Sequence, residues 1–72
     1  MDVNKLLSVI KAHGDRQEDL ANAIGLSRTR LSAKIHSKDN ASFNQPEIAA
    51  IKKRYHLTSE QVDSIFFNID VS

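Results

Sequence analysis

The 72-residue sequence predicts a small all-α domain built from five helices. Five segments carry apolar residues three and four positions apart, the spacing that places them on one face of a helix. Each segment follows a residue whose side chain can cap a helix N-terminus, and glycine or polar residues separate neighbouring segments. No segment shows the alternation of apolar and polar residues that is typical of a strand.

Length and composition indicate one domain covering residues 1–72. The sequence is 40% hydrophobic and 26% charged, and its length lies near the lower size at which a single core is stable alone. It contains no cysteine, which excludes disulfides and thiolate metal ligands. We expect a cytoplasmic protein, because no signal-peptide core and no apolar run of membrane-spanning length is present. A net charge of +1 does not by itself favour nucleic acid.

The first helix is predicted to cover Val3–Ala12, with Asp2 as its N-terminal cap. The second helix is predicted to follow Asp15, which pairs with Glu18 in a capping-box pattern, and to end at Gly25. Glycine adopts the positive φ needed there at little cost. The apolar residues that share one face of each helix are Val3, Leu6, Leu7, Ile10, Leu20, Ala21 and Ile24.

The third predicted helix carries the most informative charge pattern in the chain. Ser27 can cap it, and Leu31 and Ile35 face the core because they lie four residues apart. Two short amphipathic helices with a glycine turn and a basic second helix are typical of a DNA-binding helix-turn-helix, here about residues 16–36. Between Ser27 and Lys38 there is no carboxylate, and the four cations are Arg28, Arg30, Lys34 and Lys38.

Helices four and five are predicted from their capping residues. Asn44 can cap helix four, with Pro46 early in the helix and Glu47 at its third position. Thr58 and Gln61 form the same pattern at the start of helix five. The residues predicted to face inward from these two helices are Ile48, Ala49, Ile51, Tyr55, Val62, Ile65 and Phe66.

A faint internal repeat relates helices two and three to helices four and five. Helix three carries three cations and no acid, whereas its counterpart between residues 59 and 66 carries two acids and no cation. Because phosphate repels carboxylates, only the first copy qualifies for nucleic acid. The repeated residues are Leu20, Ile24, Leu26, Ser27, Leu31 and Ile35, which recur thirty-one positions later as Ile51, Tyr55, Leu57, Thr58, Val62 and Phe66.

Four residues of helix three are predicted to contact base edges. Arg28 lies in the first turn, where its guanidinium can donate two hydrogen bonds to guanine. Thr29 and Ser32 suit several bases, and Ala33 suits a thymine methyl group. The alternative is a solvated surface helix whose arginines pair with acids early in helix two.

Polar and cationic residues around helix three are predicted to contact phosphates, which position a protein without specifying a sequence. Gln17 combines its amide with the free N–H groups at the start of helix two. For the loop residues, solvated turn chemistry is an equal or better explanation. The predicted phosphate contacts are Gln17, Ser27, Arg30, Lys34, Lys38 and Asn40.

Other clusters favour simpler explanations. The cations of Lys52-Lys53-Arg54 end helix four, where they interact favourably with the helix dipole, and phosphate or partner binding is the alternative. The three histidines lie far apart without cysteine nearby, so we expect no metal and no cofactor. No glycine-rich phosphate loop, nucleophile motif or pair of catalytic carboxylates is present, so we expect no enzymatic activity and no small-molecule ligand.

The C-terminal end is more apolar than the end of one small domain requires. An exposed aromatic and aliphatic patch usually marks an interface with a second copy of the chain or with another protein. Alternatively, the tail at residues 68–72, to which no element is assigned, folds back over helix one. The predicted interface residues are Phe66, Phe67, Ile69 and Val71.

A joint pattern spread over nearly the whole chain comprises Gln17, Leu20, Ala21, Ile24, Gly25, Leu26, Ser27, Leu31, Ser32, Phe43, Glu47, Ile48, Leu57, Ile65, Phe66 and Phe67. With these residues the chain resembles the lambda-type phage repressor and Cro family, and among them small phage and prophage regulators of Gram-positive bacteria. The resemblance implies a compact five-helix, lambda-repressor-like domain in a bacterial host cell. It implies that helix three enters the major groove, that two domains bind adjacent half-sites, and that Gln17 contacts a phosphate. The base-edge positions that it implies are Arg28, Thr29, Ser32 and Ala33.

Two functions follow as expectations. The first is a sequence-specific regulator of Cro size that binds double-stranded operator DNA as a homodimer and represses transcription by occupying it. The second is an antirepressor or modulator that keeps the fold and binds another repressor protein through the basic helix. The low net charge, the short Ala33 side chain and the apolar C-terminal end favour the second.

Overall fold

The computed structural model describes residues 1–36 and 42–67. Within these residues the chain is all-helical, with five helices and no strand, so the predicted all-α class is confirmed. None of these helices combines the length and the apolar character needed to cross a membrane. The helices are α1 (Val3–Ala12), α2 (Gln17–Ile24), α3 (Arg28–Ile35), α4 (Gln45–Tyr55) and α5 (Ser59–Phe66).

Four of the helices begin at the predicted caps. At each of these, a side-chain oxygen accepts a hydrogen bond from the N–H three residues later, which satisfies a donor that the helix itself cannot pair. At the starts of α4 and α5 the return bonds of the capping box also form. The caps are Asp2 to Lys5 at 3.1 Å, Ser27 to Arg30 at 3.2 Å, Asn44 to Glu47 at 2.9 Å and Thr58 to Gln61 at 3.1 Å.

The start of α2 differs from the prediction. Its cap position is Arg16, whose backbone N–H donates to the carboxylate of Asp19 at 2.9 Å. The predicted capping box of Asp15 and Glu18 is therefore wrong by one residue. The physical reason is that the Asp15 carboxylate is bound to two side chains at the end of α4 instead.

The core lies between the five helices. α2 packs against α3 and α4, while α5 packs against α1 and α4. Leu31 and Ile35 of α3 are fully buried, as their spacing predicts. Ala49 is exposed although it was predicted to face inward, because it lies about 100° around the helix from the buried Ile48. The buried hydrophobic residues are Leu6, Ile10, Leu20, Ala21, Leu31, Ile35, Ile48, Ile51, Tyr55, Leu57, Val62, Ile65 and Phe66.

The turns after α2 and α4 have the same backbone conformation. Gly25 has φ of 75° and His56 has φ of 53°, so each helix ends with a residue in the left-handed region. The next N–H then donates to the carbonyl five residues earlier, at 2.8 Å for Leu26 and 3.0 Å for Leu57. The internal repeat predicted from the sequence is therefore present in the backbone.

Candidate nucleic-acid interface

The outer side of α3 presents its first turn to solvent. Arg28, Thr29 and Arg30 are exposed, whereas Leu31 and Ile35 have no exposed surface. The two buried residues fix the orientation of α3 against the core, and the exposed residues therefore project away from it. The helix is capped by the Ser27 hydroxyl and has no acid in its first turn.

Neither exposed arginine of α3 is neutralised within the part of the chain that the structure describes. The ion pairs among residues 1–36 and 42–67 involve other cations. Asp19 is one of the acids early in α2 with which these arginines could pair, and its carboxylate instead accepts a hydrogen bond from the N–H of Arg16. Arg28 and Arg30 therefore stand as two unpaired positive charges, within the described residues, on one exposed turn of helix.

The remaining predicted base-contacting residues lie further along α3. Ser32 and Ala33 are half-buried, while Thr29 is exposed. Their side chains are short, so they leave the backbone of α3 accessible to a closely approaching surface. The structure thus places the four predicted residues on one helix, with the two at its start the most accessible.

Lys34 lies in a different environment from the two arginines. Its ammonium is 2.7 Å from a carboxylate oxygen of Glu47 and also donates to the carbonyl of Ser42 at 3.2 Å. The side chains of this pair are only 11% and 10% exposed. Lys34 therefore links α3 to the start of α4, and its contact with a phosphate stays a prediction.

Glu47 is charged when it makes this bond. Burial alone would raise the pKa of its carboxyl, but the hydrogen bonds from Lys34 and from the N–H of Asn44 outweigh burial and lower the pKa. The Lys34–Glu47 pair thus contributes no net charge to the surface of α3. Within the described residues, the cations of α3 that remain unpaired are its two arginines.

The start of α2 places another cation beside a predicted phosphate contact. Gln17 is the first residue of α2 and is half-buried, and Arg16 precedes it with an exposed side chain. Arg16 was missed from the sequence because the helix was expected to begin one residue earlier. Exposed Glu18 follows Gln17, so the charge at this helix end is mixed. The predicted contacts Lys38 and Asn40 lie outside the described residues.

A cluster of three side chains, which we call the Asp15 cluster, joins the turn before α2 to the end of α4. The carboxylate of Asp15 accepts hydrogen bonds from Nε and Nη2 of Arg54 at 2.8 and 3.1 Å, and from the hydroxyl of Tyr55 at 2.7 Å. The hydrogen bonds from Arg54 and Tyr55 lower the pKa of Asp15. Burial, followed by the hydrogen bond to Asp15, raises the pKa of Tyr55 to about 12.

The predicted basic cluster at the end of α4 is largely engaged within the protein. Arg54 is bound to Asp15, and Lys52 donates to the hydroxyl of Ser59 at 3.3 Å. Lys53 is exposed and forms no ion pair among the described residues. The cluster therefore offers less free charge than its sequence suggests.

The predicted partner interface is divided between core and surface. Phe66 is buried and packs edge-on against Phe43, with ring centroids 5.7 Å apart. Phe67 is 47% exposed and lines a groove of about 250 Å³ that Met1 and Ile48 also line. Ile69 and Val71 lie outside the described residues, as does the remainder of the tail at 68–72.

Comparison with protein-family models, curated proteins and solved structures finds no match for this chain. The resemblance to the repressor and Cro family therefore depends on the sequence pattern alone. Among the described residues, no three His, Cys, Asp or Glu side chains lie together as metal ligands would. Within residues 1–36 and 42–67, the exposed first turn of α3 carries two cations that form no ion pair.

Proposed function

We propose that the protein is a sequence-specific DNA-binding transcriptional regulator of the repressor and Cro type. In this proposal α2 and α3 form the helix-turn-helix of a lambda-repressor-like domain, and α3 enters the major groove of operator DNA. The observation that carries this proposal is the exposure of the first turn of α3, formed by Arg28, Thr29 and Arg30. Leu31 and Ile35 of the same helix are fully buried and attach it to the core.

The dimensions of α3 suit this role. An α-helix with its side chains is about 10–12 Å in diameter. The major groove is about 12 Å wide and admits one helix with its N-terminal residues toward the base edges. Arg28 would donate to O6 and N7 of a guanine, and Thr29 would contact a neighbouring base. Arg30 would bind a flanking phosphate, which positions the helix without specifying sequence.

The start of α2 would supply a second phosphate contact. The amide of Gln17 and the unpaired N–H groups of the first turn suit a phosphate, and the exposed Arg16 adds a positive charge beside them. Contacts from two helices would fix the orientation of the domain on the duplex. Two chains would then bind adjacent half-sites. The operator would be roughly palindromic, because its symmetry matches the two-fold symmetry of such a dimer.

Selection from a randomised duplex library tests this proposal. The selected duplex and a scrambled version of it are titrated with the purified protein at several salt concentrations. We expect tighter binding to the selected duplex and an affinity that falls steeply with salt, because cations released from phosphates drive binding. A protein that binds both duplexes equally at every salt concentration would contradict sequence-specific recognition.

Arg28→Ala tests the role of α3 within the same assay. Loss of a bidentate guanine contact is expected to reduce discrimination between the two duplexes by about 1–3 kcal/mol. Lys53→Ala is the matched control, because it removes one exposed cation from α4 and no base contact. Equal loss of discrimination in both variants would indicate a general charge effect instead.

A second candidate function is binding to another repressor protein. The observation that favours it is Phe67, which is 47% exposed beside the groove lined by Met1 and Ile48. The free basic surface is also small, because Lys34 is paired with Glu47. Binding to a purified repressor from the same genome, lost in Phe67→Ala, together with equal binding to the selected and scrambled duplexes, would favour this function over operator binding.

A further inference from the structure

We propose that Asp15 is a positioning residue for DNA binding, because its carboxylate fixes the first turn of α2 against the end of α4. This inference rests on the proposed function, in which Gln17 and the N–H groups at the start of α2 contact a phosphate. Asp15 lies two residues before Gln17 in the chain and directly before Arg16, which occupies the cap position of α2. It acts on the phosphate contact through these neighbours.

Asp15 is held from two directions. Its backbone N–H donates to the carbonyl of Ile10 in α1 at 3.0 Å. Its carboxylate binds the side chains of Arg54 and Tyr55, which are 39 and 40 residues away in the chain. One residue therefore joins α1 and α4 at the point where α2 begins.

The geometry of the Asp15 cluster restricts orientation as well as distance. Two nitrogens of Arg54 reach the two oxygens of the carboxylate, an arrangement that fixes both planes relative to each other. The Tyr55 hydroxyl adds a third bond from a residue that is only 3% exposed and belongs to the core. A binding group generally has to be held within about 0.5 Å of its productive position, and a junction of this kind provides such precision.

The carboxylate of Asp15 has no other evident use at this place. It does not cap α2, because the N–H of Arg16 donates to Asp19. Its negative charge alone would weaken phosphate binding at the adjacent helix end. Charge and positioning therefore predict opposite effects when the carboxylate is neutralised, and an experiment can separate them.

Asp15→Asn and Tyr55→Phe provide the test, with a mixed-sequence DNA duplex as the probe. Binding is measured by fluorescence anisotropy at several salt concentrations, at a temperature where circular dichroism shows every variant folded. Asp15→Asn adds one unit of net positive charge, yet we expect it to bind more weakly, with a salt slope reduced by about 0.9 for one lost phosphate contact. Tyr55→Phe changes no charge and should shift both quantities in the same direction by less.

Ser64→Ala is the matched control. It removes a hydroxyl of α5 that accepts a hydrogen bond from the ammonium of Lys5 in α1, a contact between residues 59 positions apart that involves neither α2 nor α4. We expect its affinity and salt slope to equal those of the unmodified protein.

The contrary result is that Asp15→Asn binds the duplex at least as tightly as the unmodified protein does, with an unchanged or steeper salt slope. That result overturns the positioning role and leaves the proposed function standing. An unmodified protein that binds no duplex overturns both.

Discussion

The pair of helices α2 and α3 and the pair α4 and α5 share one backbone plan and present different surfaces. Each first helix ends in a left-handed residue, Gly25 or His56, and each second helix is capped by a hydroxyl, from Ser27 or Thr58. The corresponding residues lie thirty-one positions apart throughout, including the first and last residues of α3 and α5. Backbone geometry alone therefore does not distinguish the surfaces of the two pairs, and the difference between them lies in the side chains.

Charge is the clearest difference between the two pairs. α3 carries Arg28, Arg30 and Lys34 and no acid, whereas α5 carries Glu60 and Asp63 and no cation. Phosphate would attract the first helix and repel the second. Two helix pairs with the same backbone plan therefore present different charges, because the residues at their outer positions differ.

One pair of corresponding positions shows how a cation is accommodated in the first copy. Lys34 of α3 corresponds to Ile65 of α5, which is 2% exposed and belongs to the core. The lysine points toward the protein as the isoleucine does, and its ammonium is satisfied by Glu47 at 2.7 Å. The burial of Lys34 follows from its position on the helix, and its charge therefore stabilises the fold through the ion pair with Glu47.

The largest expected effect concerns the buried side chains that attach α3 and α5 to the core. Leu31→Ala should lower the free energy of unfolding by about 2–5 kcal/mol, because Leu31 is fully buried and the substitution leaves a cavity. The corresponding Val62→Ala removes less apolar volume from a residue that is 8% exposed, so about 1.5 kcal/mol is expected. Urea denaturation of both variants measures the difference, and equal losses would contradict the larger contribution expected from the Leu31 side chain.

A second prediction separates the structural role of Lys34 from a role in DNA binding. Lys34→Met should destabilise the protein by about 1–3 kcal/mol, because the carboxylate of Glu47 then loses its partner in a buried setting. Adding Glu47→Gln should recover much of this loss, since apolar and neutral replacements of buried ion pairs are often tolerated. Thermal and urea denaturation of the single and double variants provide the coupling energy.

The same double variant tests the surface charge. Because Lys34 is neutralised by Glu47, we expect the salt slope for binding a DNA duplex to remain unchanged when both are replaced. A slope reduced by about one would instead support a phosphate contact by Lys34. Arg30→Met is the matched control, because it removes an exposed cation from the same helix and should reduce the slope.

The third prediction concerns the two left-handed turn residues, where opposite changes should have opposite signs. Gly25→Ala should destabilise by about 1 kcal/mol through backbone strain, since a Cβ at Gly25 meets no atom within 4 Å. His56→Gly should stabilise by about 0.5 kcal/mol, because relief of the strain at φ of 53° exceeds the entropy that glycine adds to the unfolded chain. Denaturation of both variants, with Ala23→Gly as a control inside α2, measures these effects; destabilisation by His56→Gly would count against the strain.

Local signals predict most of this fold. Caps such as Ser27 and Asn44, and the spacing of Leu31 and Ile35, each act within four residues of the chain, so the sequence alone indicates where helices begin and which face is buried. The repeat could likewise be found, because Gly25 lies at a turn between two such patterns.

The contacts that the sequence does not reveal are those between distant residues. Asp15 has the residue type and position of a cap. The neighbouring residues in the sequence do not indicate that Arg54, 39 residues later, donates a hydrogen bond to its carboxylate. Lys34 is indistinguishable in sequence from the free cations around it, because its pairing with Glu47 depends on how α3 and α4 pack. The charged surface could therefore be predicted as a region, but not residue by residue.

The smallest expected effect lies at Tyr55, which corresponds to the apolar Ile24 of the first copy. Tyr55 is the only tyrosine in a chain without tryptophan, so tyrosinate absorbance during an alkaline titration reports on this one hydroxyl. We expect it to ionise at about pH 12 instead of 10.0. Asp15→Asn should lower this pKa only partly, because burial is the larger cause of the increase and persists in the variant.

The sign of the accompanying change in stability follows from the direction of each shift. A raised pKa for Tyr55 means that its contribution to stability is complete below pH 10.0 and is lost as pH rises through about 12. The lowered pKa of Asp15 means that its contribution is present above pH 3.8 and is lost as pH falls through the lower native value. Tyr55→Phe should abolish the alkaline loss and retain most of the acid one. An alkaline loss of equal size in Tyr55→Phe would show that ionisation of the Tyr55 hydroxyl does not cause that loss.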